Sequence, residues 1–264
     1  MQSSRLESRP PRSLVLLISI PMPTLDQRLA TRAHGVGSPV MYQRWSQLLF
    51  LHWKWDADEL QKRLPPGLFI DTFQGEAWLG IVPFFMERIR PRFLPPVPWI
   101  SWFLELNVRT YVHDEHGTPG VWFFSLDCNQ PLAVRIARVG FGLPYFDARM
   151  SAPVGDEGIR YECERRGQAQ TARFQYQLAD DTRLAEPGSL EFFLAERYTL
   201  FASTPRGLRL GRVQHVPYPL ATATVTAFDP APIAWDGLGF PKGAPDHVIG
   251  SPGVDVRIGA LERL

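Results

Sequence analysis

The chain has 264 residues, of which 45% are hydrophobic and 21% charged, and its formal net charge is +1. This length allows a closed hydrophobic core, and this composition excludes disorder as the main state. A charge so close to zero gives no long-range field for phosphate polymers or anionic lipid, so we expect no nucleic-acid partner and no stable membrane insertion. The 21 glycines and 25 prolines are typical of a β domain with many turns.

Residues 1–40 are predicted to form a loosely ordered N-terminal extension, and residues 41–264 a single domain. The apolar run at 14–20 follows three arginines as in a signal peptide, but Pro21 ends it and no small-residue cleavage site follows. The two cysteines, Cys128 and Cys163, lack the spacing of a redox or zinc site and are typical of free thiols in a reducing compartment. We therefore expect a cytoplasmic protein.

A strand at residues 45–55 opens the predicted domain, with little alternation and so with both faces covered. A helix follows, because Asp56 and Glu59 have capping-box spacing, and Pro65-Pro66-Gly67 ends it. Short β segments separated by turn residues are then predicted at 68–72, 77–87, 104–112, 121–128, 132–141, 161–166 and 171–178. A second helix is predicted from Ser189 to about Thr199, before a mostly extended C-terminal segment.

The segment 104–112 carries the polar pattern of greatest chemical interest. Side chains alternate between the faces of a strand, so Glu105, Asn107, Arg109 and Tyr111 share one face. The pattern leaves two interpretations open. These four residues, the polar ridge of this segment, form either an ordinary solvated sheet surface or the floor of a polar pocket.

Arg138 favours the pocket. Within the predicted strand 132–141 it shares a face with aliphatic residues, and a buried guanidinium without a partner would cost several kcal/mol. Glu105 and Asp127 are the available carboxylates on neighbouring segments. An internal network of Arg138 with these carboxylates would bind a small anion or carbonyl compound, or would only fix the strand register.

Several common chemistries lack their motifs, including GxSxG, SxxK, HExxH, GxxxxGK[ST] and GxGxxG. The consecutive residues 113–116 (HDEH) are interpreted as a hairpin turn, since adjacent ligands rarely converge on one ion, and we expect no metal site. Lys54, between two tryptophans, is interpreted as a strand-edge lysine that reaches water. The apolar, proline-rich residues 91–100 are expected to pack over one end of the sheet, and the alternatives are that they cover a pocket mouth, form an oligomer contact or touch a membrane surface.

Eight runs of the sequence resemble the YqjF-like family, a bacterial domain of unknown function distantly related to acetoacetate decarboxylase. They are LLFLHW (48–53), LPPGLFIDTFQGEAWLGIVPF (64–84), FLELNVRTYV (103–112), GVWFFSLDC (120–128), AVRIAR (133–138), GLPY (142–145), SLEFFLAERYTLF (189–201) and SPGVDV (251–256). The resemblance implies a mainly β (α+β) fold, a single-domain antiparallel, barrel-like curved sheet with a few flanking helices around a central pocket.

The resemblance also locates a departure from decarboxylase chemistry. Acetoacetate decarboxylases hold a Schiff-base lysine in a Gly-x-Pro-Lys-Lys segment, and residues 142–146 (GLPYF) are similar to it, with Tyr145 and Phe146 at the lysine positions. Glu105 is similar in place to the family's strand carboxylate. Without an imine no electron sink stabilises the carbanion that decarboxylation leaves.

The leading hypothesis is a cofactor-free protein that binds a small carboxylate or carbonyl compound. Its ligand-binding residues would be Asn107, Arg109, Asp127, Arg138 and Tyr145. Glu105 would be the acid/base group of an enzymatic version, a lyase or isomerase without imine formation. The alternative is a non-catalytic interaction protein that uses residues 91–100, with a homo-oligomer as one form.

Overall fold

The computed structural model describes residues 21–264, which form a mostly β domain with short helices. The helices are α1 (Leu25–Ala33), α2 (Ala57–Gln61), α3 (Pro131–Phe141), α4 (Leu190–Ala195) and α5 (Ala231–Trp235). The strands are β1 (Met41–Trp55), β2 (Leu68–Ile70), β3 (Ala77–Pro91), β4 (Phe103–Asp114), β5 (Pro119–Cys128), β6 (Tyr145–Ser151), β7 (Val154–Gly155), β8 (Gly158–Arg165), β9 (Ala172–Leu178), β10 (Thr199–Thr204), β11 (Gly207–Gln214), β12 (Ala223–Ala227) and β13 (His247–Arg263).

Seven strands close into a barrel-like ring. The hydrogen-bonded order is β4-β5-β10-β11-β13-β1-β3, and β3 pairs with β4 again to complete it. From β5 a second group, β6-β8-β9-β12, continues the sheet outward. The pairings are antiparallel except β5 with β6 and β5 with β10. The predicted mainly β, barrel-like and largely antiparallel fold is therefore confirmed.

β1 explains how the ring packs on both sides. Leu49 and Leu51 belong to a core cluster that includes Tyr161 and Phe174 from β8 and β9, while the alternate residue Phe50 packs in a cluster with α4. Because both faces are covered, β1 has the nearly continuous apolar run seen in the sequence. We call these the Leu49 face and the Phe50 face.

The segment 131–141 corrects the sequence prediction, since it is helix α3 and not a strand. Pro131 occupies its first turn, the Gln130 side chain accepts a hydrogen bond from the Leu132 amide, and Gly142 ends it in the left-handed conformation with φ of 62°. Proline at the start and glycine just after the end are typical helix signals. The alternation of apolar residues in the sequence hid them.

The predicted extension contains a helix that contacts the barrel. In α1, Arg28 makes two hydrogen bonds of 2.6 and 2.7 Å to the buried carboxylate of Asp71, which also pairs with Arg197. This attachment was not anticipated from the sequence. The run at 14–20 lies outside the described residues, and the domain boundary at residue 40 stays a prediction.

None of the helices between residues 21 and 264 has the length and apolar character needed to cross a bilayer.

Candidate functional site

The polar ridge of β4 is buried along its whole length. Glu105 and Asn107 are 3% and 4% exposed, Arg109 is 9% exposed and Tyr111 is inaccessible. Their cross-strand partners on β3 are Phe84, Val82 and Gly80, and Phe84 and Val82 pack in the same cluster as Phe50. The ridge therefore lies on the Phe50 face of the ring, away from water.

Glu105 is hydrogen-bonded to Tyr145, the residue at the first lysine position of the GLPYF segment. β6 begins at Tyr145 and pairs in parallel with β5, and this brings the phenol to 2.7 Å from Glu105 Oε2 as the donor. Burial raises the pKa of Glu105 to about 7, although hydrogen bonds from Tyr145 and Asn107 oppose the shift. Burial, together with the Glu105 charge, raises the pKa of Tyr145 well above its usual value. The pair therefore combines a neutral phenol with a carboxyl group that titrates near neutral pH.

Two other atoms of the ridge are buried without a hydrogen-bond partner among residues 21–264. They are Asn107 Oδ1 and Arg109 Nε. The Arg109 guanidinium donates one bond, of 3.2 Å, to the Leu194 carbonyl oxygen, and it lies over the rings of Phe50 and Tyr111. Buried polar atoms are nearly always paired in native proteins. An acceptor and a donor thus stand unused on the same face as Glu105.

A chain of hydrogen bonds continues from the far end of the ridge. Tyr111 Oη lies 2.8 Å from His52 Nε2, and His52 Nδ1 lies 3.1 Å from His247 Nδ1. Burial, then the proximity of His247 and Arg109, lowers the pKa of His52 well below its usual value, so its ring is neutral. Sequence reasoning missed both histidines, because a histidine inside an apolar strand carries no sign of a partner 195 residues away.

Arg138 is not brought together with Glu105. On α3 its side chain is exposed, and its Nε donates a 2.6 Å hydrogen bond to the backbone carbonyl of Tyr145. The predicted strand geometry was wrong, so the predicted ion pair does not form. Arg138 instead holds the backbone at the residue whose phenol reaches Glu105.

Asp127 belongs to a separate network on the Leu49 face, opposite Leu106. Arg165 of β8 donates to both Asp127 oxygens, from Nε at 2.6 Å and from Nη2 at 2.8 Å. Its Nη2 also donates to Ser125 and its Nη1 to Asp236, each at 2.6 Å. Burial raises the pKa of Asp127 to about 6 against the opposing effect of Arg165. Sequence reasoning missed Arg165, although it follows Tyr161 and Cys163 on the buried face of β8. Arg165 is an arginine on an apolar strand face, the environment that the sequence predicted for Arg138.

Lys54 is half exposed and pairs with Glu76 at 3.6 Å, which agrees with its interpretation as a strand-edge lysine. Neither Lys54 nor another lysine contacts Glu105 in the part of the chain described. The geometry around Glu105 can therefore bind and exchange a proton, but it holds no amine for imine formation.

Known proteins are similar to this chain in sequence, and solved structures are similar to it in fold. The model of family DUF2071, described as an uncharacterized conserved protein, matches residues 42–255. The uncharacterized protein YqjF of Bacillus subtilis (strain 168) is 38% identical over 185 residues, which cover 70% of this chain and 76% of that protein.

Solved structures of acetoacetate decarboxylases and related enzymes have the same architecture. The decarboxylase of Legionella pneumophila superposes with a TM-score of 0.57 at 13% identity, over 85% of this chain and 87% of that one. The enduracididine biosynthesis enzyme MppR complexed with pyruvate gives a TM-score of 0.56 at 15% identity, over 85% and 90% of the two chains. At these identities the likeness establishes the fold alone. Because the family model covers most of the barrel, and because YqjF matches over more than two thirds of its length, the chain belongs to the DUF2071 family and has an acetoacetate decarboxylase-like fold.

Proposed function

We propose that this protein binds a small carboxylate or carbonyl compound at the Glu105 cluster, defined as Glu105, Asn107, Arg109 and Tyr145. The observation that carries the proposal is the pair of unused buried atoms, Asn107 Oδ1 and Arg109 Nε, on the same face of β4 as a carboxyl group that can hold a proton. A ligand that accepts from Arg109 and donates to Asn107 would satisfy both. Carboxylates accept from guanidinium groups through paired hydrogen bonds.

Proton transfer is the chemistry that this cluster supports. A carboxyl group with a pKa of about 7 is present in both protonation states at neutral pH, so Glu105 can accept a proton next to a carbonyl or donate one to it. Tyr145 remains neutral and donates to Glu105 or to a ligand oxygen. With Tyr145 in the lysine position we propose enolisation, hydration or a lyase reaction without imine formation. The pyruvate in the MppR complex supports a 2-oxo acid as the first ligand to try.

Binding can be tested by thermal shift with pyruvate and with lactate, whose hydroxyl group can donate to Asn107 Oδ1, since a ligand that binds the folded state stabilises it by RT ln(1 + [L]/Kd). We expect both the wild type and Glu157→Gln, an exposed turn carboxylate, to be stabilised by at least one of these compounds. Asn107→Ala removes the unused acceptor, and we expect it to fold but to lose most of the shift with lactate. Equal lactate shifts in Asn107→Ala and the wild type, or no shift of the wild type with either compound, would contradict the proposal.

A second candidate function is favoured by the exposed apolar surface around residues 91–100. Phe93 and Trp99 are 84% and 73% exposed, and Gln130, which caps α3, donates to the Trp99 carbonyl oxygen at 2.9 Å. α3, which begins directly after Gln130, carries two further exposed apolar residues, Ile136 and Val139. A second copy of the chain would cover such a surface. Light scattering of the wild type and Trp99→Ser would support this candidate if the variant alone were monomeric, and would exclude it if both were monomers.

A further inference from the structure

A cavity lies where the neighbouring strands β11, β13, β1 and β3 run side by side. Its volume is about 520 Å³, within the range of small-molecule sites. Four arginines line it: Arg44, Arg88, Arg90 and Arg257. None of its lining residues belongs to the Glu105 cluster, so the two sites are separate.

The register of the ring assembles the arginines on neighbouring strands. Arg257 pairs with Tyr42 across β13 and β1, and Tyr42 pairs with Arg90 across β1 and β3. Directly paired residues project from the same face of a sheet, and Arg44, two residues after Tyr42, shares that face. These residues therefore form two adjacent cross-strand rows and not a random surface scatter.

A β-bulge in β3 is needed for this arrangement. In the register of β1 and β3, Tyr42 lies opposite Arg90 and Arg44 lies opposite Glu87. The two residues on β1 are two positions apart, whereas their partners on β3 are three positions apart. Without the extra residue, Arg90 would project from the opposite face to Glu87, because side chains alternate. Arg88 sits in this bulge with φ of 54°, a conformation rare for a residue other than glycine. Backbone strain of this kind persists where the surrounding structure imposes it, often at binding sites.

The positive charge in the cavity is mostly uncompensated. Arg44 lies 3.7 Å from Glu87 and 3.4 Å from Asp255. Arg88, Arg90 and Arg257 form no ion pair with any residue from 21 to 264, and Arg90 only covers the Tyr42 ring at 4.3 Å. In a chain whose net charge is +1, three such guanidinium groups around one cavity are a strong local concentration.

His215 adds a buried group to the lining. It is 8% exposed, its Nδ1 lies 2.7 Å from the Val216 carbonyl oxygen and therefore carries the proton, and its Nε2 has no partner among the described residues. The ring packs against Tyr198 and Tyr218, so His215 forms part of the buried wall of the cavity. The donors that the cavity offers are the guanidinium groups.

We propose that this cavity binds a small polyanion, an organic phosphate or a polycarboxylate. A planar guanidinium group can donate paired hydrogen bonds to the oxygen atoms of a phosphate or a carboxylate group. The volume accommodates a metabolite-sized molecule.

Titration calorimetry with pyrophosphate and with tricarballylate tests the proposal on the whole chain. We expect the wild type to bind at least one of them with an affinity that falls as salt rises. Arg257→Ala and Arg88→Gly should each weaken binding about tenfold. Arg88→Gly is also expected to fold at least as well as the wild type, because glycine adopts a positive φ without strain.

The matched control is Arg160→Ala, which removes an exposed strand arginine outside the cavity. We expect it to bind like the wild type. Binding of pyrophosphate alone would identify a phosphate ligand, binding of tricarballylate alone a polycarboxylate, and binding of both a site that recognises the shared charge. No saturable binding of either probe at millimolar concentration, or equal weakening by Arg160→Ala and Arg257→Ala, would overturn the proposal.

Discussion

Replacing Glu105 with glutamine should stabilise the protein at alkaline pH. The ordinary pKa of this carboxyl group is 4.5 and burial raises it to about 7 in the folded state. Between these values the folded protein holds a proton that the unfolded chain has lost, so stability is full below pH 4.5 and decreases as pH rises through 7. At about 1.4 kcal/mol for each pH unit, the complete loss is roughly 3 kcal/mol. Glutamine keeps the shape and the acceptor for Tyr145 but never ionises.

Urea denaturation at pH 5 and pH 8 measures this effect. The free energy of unfolding of Glu105→Gln minus that of the wild type should be about 2 to 3 kcal/mol larger at pH 8 than at pH 5, which means that the variant is relatively more stable at pH 8. The comparison uses the difference between variant and wild type because other groups also titrate. Asp127, with its pKa raised to about 6, gives a slope of the same sign, whereas His215, whose pKa burial lowers to about 4, gives the opposite sign below pH 6.5.

Glu157→Gln is the control, since that side chain is exposed in the turn between β7 and β8. We expect its difference from the wild type to be the same at both pH values. A Glu105→Gln difference that did not grow with pH would refute the reasoning, because it would mean that Glu105 is ionised and solvated throughout. The proton held near pH 7 would then be lost as a basis for acid/base chemistry.

Three further predictions rest on the other contacts. Borohydride treatment with acetoacetate or pyruvate should add no mass to the protein, and an adduct found on any lysine by mass spectrometry would restore an amine mechanism. Arg165→Met should cost on the order of 3 to 5 kcal/mol in urea denaturation, because it leaves the buried Asp127 without its charged partner; a cost under about 0.5 kcal/mol would place the network in water. Arg28→Ala should lower the unfolding free energy by about 1 to 3 kcal/mol, as the buried carboxylate of Asp71 loses two hydrogen bonds, whereas no measurable loss would support a loosely attached extension.

Much of the fold could be read from local patterns. The alternation in 104–112 identified the polar face of β4, and the helix after Asp56 begins as predicted, with the Asp56 side chain accepting from the Glu59 amide at 2.9 Å. The error in 132–141 arose because alternating aliphatic residues also occur on a helix. There Val134 is buried, while Leu132 and Ile136 are exposed on α3. A pattern of hydrophobic residues does not say which of them are covered.

The site was only partly predictable for a related reason. Glu105 and Tyr145 came from the strand pattern and the family resemblance, and both pointed to a single place. Arg165 and His247 reach their partners across 38 and 195 residues of sequence. Contacts over such separations depend on the order of the strands around the ring. For example, β5 pairs in parallel with β10 and with β6, and no local sequence signal indicates these neighbours.

The Arg165 network and the Glu105 cluster differ in a way that separates structure from function. Arg165 donates hydrogen bonds to Asp127, Asp236 and Ser125. The guanidinium group on the Leu49 face therefore already has its partners within the protein. On the Phe50 face, Arg109 has a single hydrogen bond and an unused Nε. A protein that only needed to stabilise strand register would gain from satisfying both, because an unpaired buried polar atom costs about 1 to 3 kcal/mol. Of these two, the Glu105 cluster is therefore the one that we expect a ligand to complete.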